Sequence, residues 1–188
     1  MKRLGDYIRP VDVRNRDLKV TRLMGINIEK RFMPSVANVV GTDLSNYKVV
    51  LKGQFACNLM HVGRDEKIPV ALQNDDEPII VSPAYVVFEV VDTNVLLSEY
   101  LMMWFSRSEF DRNAWFYTDG DVRGGMDRDA LFDMQIPVPA IEKQREIVAE
   151  YNTLQNRIET NKKLIATLEQ TAQTLYRPTF IDNIDPNN

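Results

Sequence analysis

The chain has 188 residues, 44% of them hydrophobic, and a formal net charge of −4. That suffices for one domain of about 140 residues plus an extension. It holds no run of the ~18 apolar residues that a transmembrane helix needs, and no apolar signal core follows Met1. One cysteine, Cys57, excludes an internal disulfide and fits a reducing cytosol, and with one histidine, His61, it is too little for a structural zinc site.

Residues 2–11 read as a short helix or strand leading into a turn at Pro10, and residues 14–17 as a polar loop. Residues 23–28 begin a strand in which Gly25 marks a close backbone approach. Residues 36–40 lead to Gly41-Thr42-Asp43, a turn with a cap. Residues 47–51 are rich in β-formers and end at Lys52-Gly53, a tight turn into residues 55–60, where Cys57 and Met60 are expected to be buried. Residues 61–67 read as a charged loop. The clearest strands are 79–81 and 85–91, and the second is so apolar that it predicts a buried central strand. Residues 95–105 shift to helical spacing, with Ser98 as an internal or N-terminal cap, and a second short helix spans 108–116. A loop with three glycines covers 118–126, Asp127 caps a helical turn over 128–132, and a last strand at 134–138 ends at Pro137 and Pro139.

From there to residue 176 the sequence predicts one long helix. Alternate steps of three and four place Gln144, Ile147, Tyr151, Leu154, Ile158, Asn161, Ile165, Leu168, Ala172 and Leu175 on one stripe, the spacing of a coiled-coil seam. No Gly or Pro interrupts residues 141–175. A helix over 142–176 would be ~52 Å long, too long for the preceding domain to cover. Part of the stripe therefore needs a partner, and the pattern points to a dimerisation rod ahead of a helix folded back on its own domain. Gln144 and Asn161 interrupt the seam; polar core positions lower stability but fix register, and Asn161 reads equally as a frayed or solvated point. The fold class is α+β: a globular domain with a mixed β-sheet and short helices over 1–139, one long coiled-coil helix over 140–178, and a tail over 179–188.

Charge is unevenly distributed. Residues 1–31 carry nine Lys/Arg against four Asp/Glu, whereas residues 75–133 carry four against thirteen. Three stretches have the chemistry to touch DNA: Arg14, Arg16, Lys19 and Arg22; His61, Arg64 and Lys67; and Arg123, Gly124 and Gly125 with Arg128 following. Arginine makes bidentate bonds to guanine, lysine mainly meets phosphate, and glycines let backbone N–H groups approach a phosphate. Each is also what a solvated surface looks like. Trp115 and Tyr117 beside the third stretch fit a core or groove edge better than a stacking platform. Catalytic signatures are missing. There is no phosphate-binding G-x-x-x-x-G-K-[ST], no G-x-G, no Asn-Pro-Pro-aromatic sequence and no nucleophile elbow around His61. Asp65-Glu66-Lys67 contains a carboxylate-x-lysine step of metal-dependent nucleases, but without partner carboxylates at a convincing spacing.

Several stretches together resemble the specificity subunit of type I restriction–modification systems. They are residues 52–60 (KGQFACNLM), residues 81–88 (VSPAYVVF) and the closing block 136–148 (IPVPAIEKQREIV), supported by Leu4-Gly5-Asp6 and by Leu175-Tyr176-Arg177 with Phe180-Ile181-Asp182. The resemblance implies a DNA-reading target recognition domain followed by a spacer helix. It implies no catalytic residue, no metal and no cofactor on this chain. Two methyltransferase subunits would modify adenine N6 with S-adenosylmethionine, and nuclease subunits would join the full complex. Members of that family usually carry two recognition domains and two helices, whereas this chain has one of each and looks like a half-subunit. Two copies pairing their rods antiparallel would form a two-fold dimer with a recognition domain at each end, about 50 Å apart. That exceeds one DNA turn of ~34 Å and implies a bipartite palindromic target in a bacterial or archaeal cytoplasm. A different half-subunit could supply the second half instead. Two other classes stay open: a protein-interaction scaffold that uses the coiled coil without DNA, and a nuclease.

Overall fold

The computed structural model describes residues 1–36, 41–60, 62–118 and 124–180. The expectations for residues 37–40, His61, Arg123 and the tail beyond Phe180 lie outside the described residues. Two compact units are present, Met1–Arg145 and Glu146–Asn188.

The first unit is α+β. In chain order its elements are β1 (Lys2–Arg3), β2 (Ile8–Val11), β3 (Met24–Ile26), β4 (Phe32–Pro34), β5 (Lys48–Val50), β6 (Gln54–Cys57), α1 (Val62–Asp65), β7 (Val70–Leu72), β8 (Ile79–Val81), β9 (Val86–Val90), α2 (Ser98–Phe105), α3 (Ser108–Phe116), α4 (Arg128–Asp133) and β10 (Gln135–Ile136). Short 3-10 turns occupy Leu4–Asp6 and Leu44–Asn46, the latter capped by the Asp43 carboxylate accepting from the Ser45 N–H. The central sheet is antiparallel, with order β2-β9-β6-β7. Strand pairs β1–β10, β3–β4 and β5–β8 surround it, and a parallel bridge from Leu23 to Ile80 makes the strand arrangement mixed.

The expected central strand is β9, lying between β2 and β6. Strand β6 is buried on both faces because its alternate residues enter two clusters. On one face Phe55 stacks on Phe88 with ring centroids 5.0 Å apart, and Phe105 of α2 meets both edge-on. On the other, Ala56 packs with Met24, Val50, Ile79, Val81 and Val87. Gly53, at φ +82, makes the tight turn before β6, as the sequence predicted.

Several local expectations are corrected. Pro10 is not a turn but sits inside β2, opposite Phe88. It is tolerated there because β2 is an edge strand, where a missing N–H breaks no ladder. Residues 62–65, expected as loop, form α1. Strands β4 and β7 were not anticipated. Gly25 makes no close approach: a Cβ there would meet only the Tyr85 hydroxyl, at 3.9 Å. Ser98 is the first residue of α2 rather than its cap, and Asp127 occupies the N-cap position of α4 without a side-chain cap bond.

A buried ion pair ties the β3–β4 turn to the helices. The Lys30 ammonium donates to Asp111 at 2.7 Å and to the Phe105 carbonyl, and the Ile68 N–H donates to the same carboxylate at 3.1 Å. Burial pushes the Lys30 pKa down, with Asp111 opposing.

Helix α5 runs Ile141–Phe180, longer than the predicted 142–176, and at 1.5 Å per residue measures ~60 Å. Its first turn belongs to the first unit. Gln144 is fully buried there. Its carbonyl accepts from the Leu97 N–H at 2.9 Å, and its amide donates to the Val95 and Pro139 carbonyls, each at 2.8 Å. Gln144 is therefore a lock inside the domain, not a polar seam position. In the second unit the apolar stripe is exposed: Leu154, Ile158, Ile165, Leu168 and Leu175 are 48–66% exposed. No helix among the described residues is long and apolar enough to cross a membrane.

Candidate nucleic-acid interface

The first basic stretch divides. Asn15 is buried, and its amide group donates to the Val20 carbonyl while its own carbonyl accepts from the Val20 N–H, closing the 15–20 loop. This sends Arg14 and Arg16 toward residues 46–48. The Arg14 guanidinium donates to the Asn46 carbonyl at 2.8 Å and pairs with Asp12, and Arg16 donates to the Asn46 side chain at 3.0 Å. Lys19 pairs with Asp17 in its own loop. Arg22 turns to Asp75 and Glu77, at 3.3 and 3.4 Å.

Lys48, which the sequence reading did not single out, sits where Arg14 bridges to β5. Its ammonium donates to the Tyr85 carbonyl at 2.7 Å and lies 3.7 Å from Asp12. Burial lowers its pKa most. Asp12 opposes this, while the positive charges of Arg14 and Arg128 add to it. Arg14 and Lys48 thus share a single carboxylate, Asp12, and the charge of Arg128 from the third stretch also reaches Lys48. The only hint in the sequence was a lysine amid the apolar residues of β5.

The second and third stretches meet through their backbones. The Gly63 N–H donates to the Gly124 carbonyl at 2.7 Å, and the Met126 N–H donates to the Leu59 carbonyl at 2.9 Å. Thr118 and Met126 form an antiparallel bridge. A Cβ on Gly63 would lie 2.8 Å from the Gly124 Cα, and Gly124 has φ +57. These contacts account for both glycines. Gly125 is half-buried against Leu59. Arg64 is exposed and pairs with Asp65 at 2.8 Å, and Arg128 pairs with Asp129 at 3.4 Å. Lys67 is exposed on the side of Lys30, whose ammonium feels its charge.

Trp115, Phe116 and Tyr117 are 48%, 81% and 49% exposed, so they belong to the surface and not to the core. Met60 is likewise 42% exposed, whereas Cys57 is fully buried and its thiol pKa is pushed up by that burial.

Beyond the residues themselves, the chain is 27% identical over 155 residues to the type I restriction enzyme HindI specificity subunit of Haemophilus influenzae. That match covers 80% of this chain and 32% of the relative. The crystal structure of the HsdS subunit from Thermoanaerobacter tengcongensis superposes with a TM-score of 0.65, at 17% identity, over 98% of this chain and 51% of that one. The chain resembles type I restriction specificity subunits in sequence and shares their fold. A second solved chain, from a study of complex assembly and conformational transition in a type I restriction–modification system, gives a TM-score of 0.61 at 18% identity over 98% of this chain and 49% of its own. No protein-family model matches. The chain thus spans about a third of the curated relative and half of each solved chain. The blocks that carried the resemblance have structural roles. Residues 52–60 make the turn into β6 and β6 itself, 81–88 lead from β8 into β9, and 136–148 carry the Gln144 lock.

Proposed function

We propose that this chain is the non-catalytic DNA-specificity module of a type I restriction–modification system, working in the cytoplasm. The observation that carries the proposal is the fold shared with the HsdS subunit over 98% of the chain. In this reading the first unit reads one half of a bipartite target. Arg14, Arg16, Lys48 and Arg128 meet DNA on one side, and Arg64 beside the Gly63–Gly124 joint meets it on another, with Lys19, Arg22 and Lys67 adding phosphate contacts. The chain positions methyltransferase subunits, which supply S-adenosylmethionine chemistry at adenine N6, and nuclease subunits where the system has them. Helix α5 pairs with a second copy as an antiparallel coiled coil, through Ile147, Tyr151, Leu154, Ile158, Asn161, Ile165, Leu168, Ala172 and Leu175.

One observation favours the scaffold alternative. Arg14, Lys19, Arg22, Arg64 and Arg128 each have a carboxylate partner, which reduces the free positive charge available to a phosphate backbone. Coexpression with the cognate methyltransferase, followed by mapping of N6-methyladenine, tests both readings. A split palindrome is expected. A split asymmetric motif keeps the DNA-reading role and removes the symmetric dimer. Absence of any complex with the methyltransferase favours the scaffold. Salt dependence adds a second check, since phosphate contacts release counterions and weaken binding steeply as salt rises.

A further inference from the structure

The seam of α5 specifies one alignment of two antiparallel copies, an inference that rests on the dimer proposed above. With Tyr151 as the first core position of a heptad, Ile158, Ile165 and Ala172 fall at a, and Leu154, Asn161, Leu168 and Leu175 at d. In an antiparallel pair each a position packs against a d position of the other helix, so successive alignments differ by one heptad. The described helix extends to Phe180. Of the possible alignments, three set Asn161 against Ala172, Ile165 or Ile158 of the other copy.

We infer that Asn161 packs against Ala172 of the second copy, which also sets Ile158 against Leu175 and Ile165 against Leu168. Two independent features select this alignment. The first is the polar residue: Asn161 meets the smallest residue on the stripe, leaving room for its amide to stay hydrated. Shifting by one heptad or by two in the same direction places it against Ile165 or Ile158 of the other copy and desolvates the amide against a branched apolar side chain, and shifting one heptad the other way sets Glu169 against Glu169. The second is charge. Lys162 and Glu169 follow core d positions and flank the seam, and both are exposed. In the chosen alignment Lys162 of each copy faces Glu169 of the other, giving two opposite-charge pairs about the two-fold axis. In the alignment that matches Asn161 with Ile165, Lys162 faces Lys162. In the third, Lys162 faces only Gln155.

The exposed apolar side chains from Ile158 to Leu175 supply the area for this contact. The Glu146 residues of the two copies then stand about 60 Å apart along the rods at 1.5 Å per residue.

Disulfide trapping on the full-length protein distinguishes the alignments. Cys57 is fully buried, which keeps the native thiol out of the reaction. Under oxidised glutathione, the double variant N161C/A172C should become a covalent dimer, while N161C/I165C and N161C alone should stay largely uncrosslinked. Crosslinking of N161C/I165C in preference would overturn the alignment and keep the antiparallel dimer. Crosslinking of N161C alone would mean parallel rods and overturn both. If no variant crosslinks, sedimentation of the unmodified chain separates the cases: a dimer overturns the alignment, and a monomer overturns the pairing itself. Charge reversal reads the same geometry without cysteines. Lys162→Glu should weaken dimerisation about tenfold, and K162E/E169K should restore it, given exposed pairs of ordinary strength. A dimer strengthened by Lys162→Glu would refute the alignment, because it would mean that Lys162 faces its own copy.

Discussion

Replacing Gln144 with leucine removes three hydrogen bonds from the joint between the 95–97 segment, Pro139 and the first turn of α5. It leaves the Leu97 N–H and the Val95 and Pro139 carbonyls without their partner. Each bond contributes about 1 kcal/mol net, and an unsatisfied group in a partly buried setting costs at the lower end of the 1–3 kcal/mol range. Leucine buries more apolar surface, which offsets about 1 kcal/mol. The expected balance is a loss of about 2–3 kcal/mol. Urea unfolding measures it cleanly, because both tryptophans, Trp104 and Trp115, lie in the first unit and report on that unit alone. The heptad pattern, which puts Gln144 on the seam, makes the opposite prediction: leucine would tighten self-association and leave the domain untouched. An unchanged or higher midpoint in urea, together with stronger dimerisation, would refute the lock.

Two further substitutions probe the domain. Gly63→Ala should force the Gly63–Gly124 joint apart, because its Cβ would lie 2.8 Å from a backbone atom. A cost of about 1–3 kcal/mol is expected, with faster hydrogen exchange at the Met126 amide, and unchanged exchange would count against the joint. Glu89 accepts from Gln54 at 2.8 Å and pairs with Arg9 at 2.6 Å, and these contacts, Gln54 first, hold its carboxyl below the usual carboxylate range. A depressed folded pKa gives stability that is present above the unfolded value and is lost as pH falls through the folded one. Glu89→Gln should therefore be about 1 kcal/mol less stable than the native chain at pH 7 and should converge with it as pH falls through the depressed folded value. A gap that persists in acid would show that it does not arise from the ionised carboxylate.

The sequence by itself determined the features that repeat or run long. Four heptads without Gly or Pro leave helix as the only regular structure for residues 141–175, and the apolar run at 85–91 could pack only as an interior strand. The resemblance, carried by residues 52–60, 81–88 and 136–148, was legible for the same reason, since contiguous blocks survive reading in one dimension. Tertiary structure decided what depends on distant partners. Gln144 falls on the heptad, and only the loop at 95–97 shows that its amide is already fully engaged. Pro10 reads as a turn until β2 is seen to be an edge strand paired with β9, some eighty residues away. Strands such as β4 and β7, three residues long, hold too few alternations to register as a pattern. Gly63 and Gly124 each look like loop glycines, because nothing local says that their backbones touch. Lys48 joins Arg14 and Asp12 only once β5 is laid beside the 12–14 segment. Local periodicity encodes elements, whereas hydrogen-bond partners and charge neighbours are set by which elements pack together.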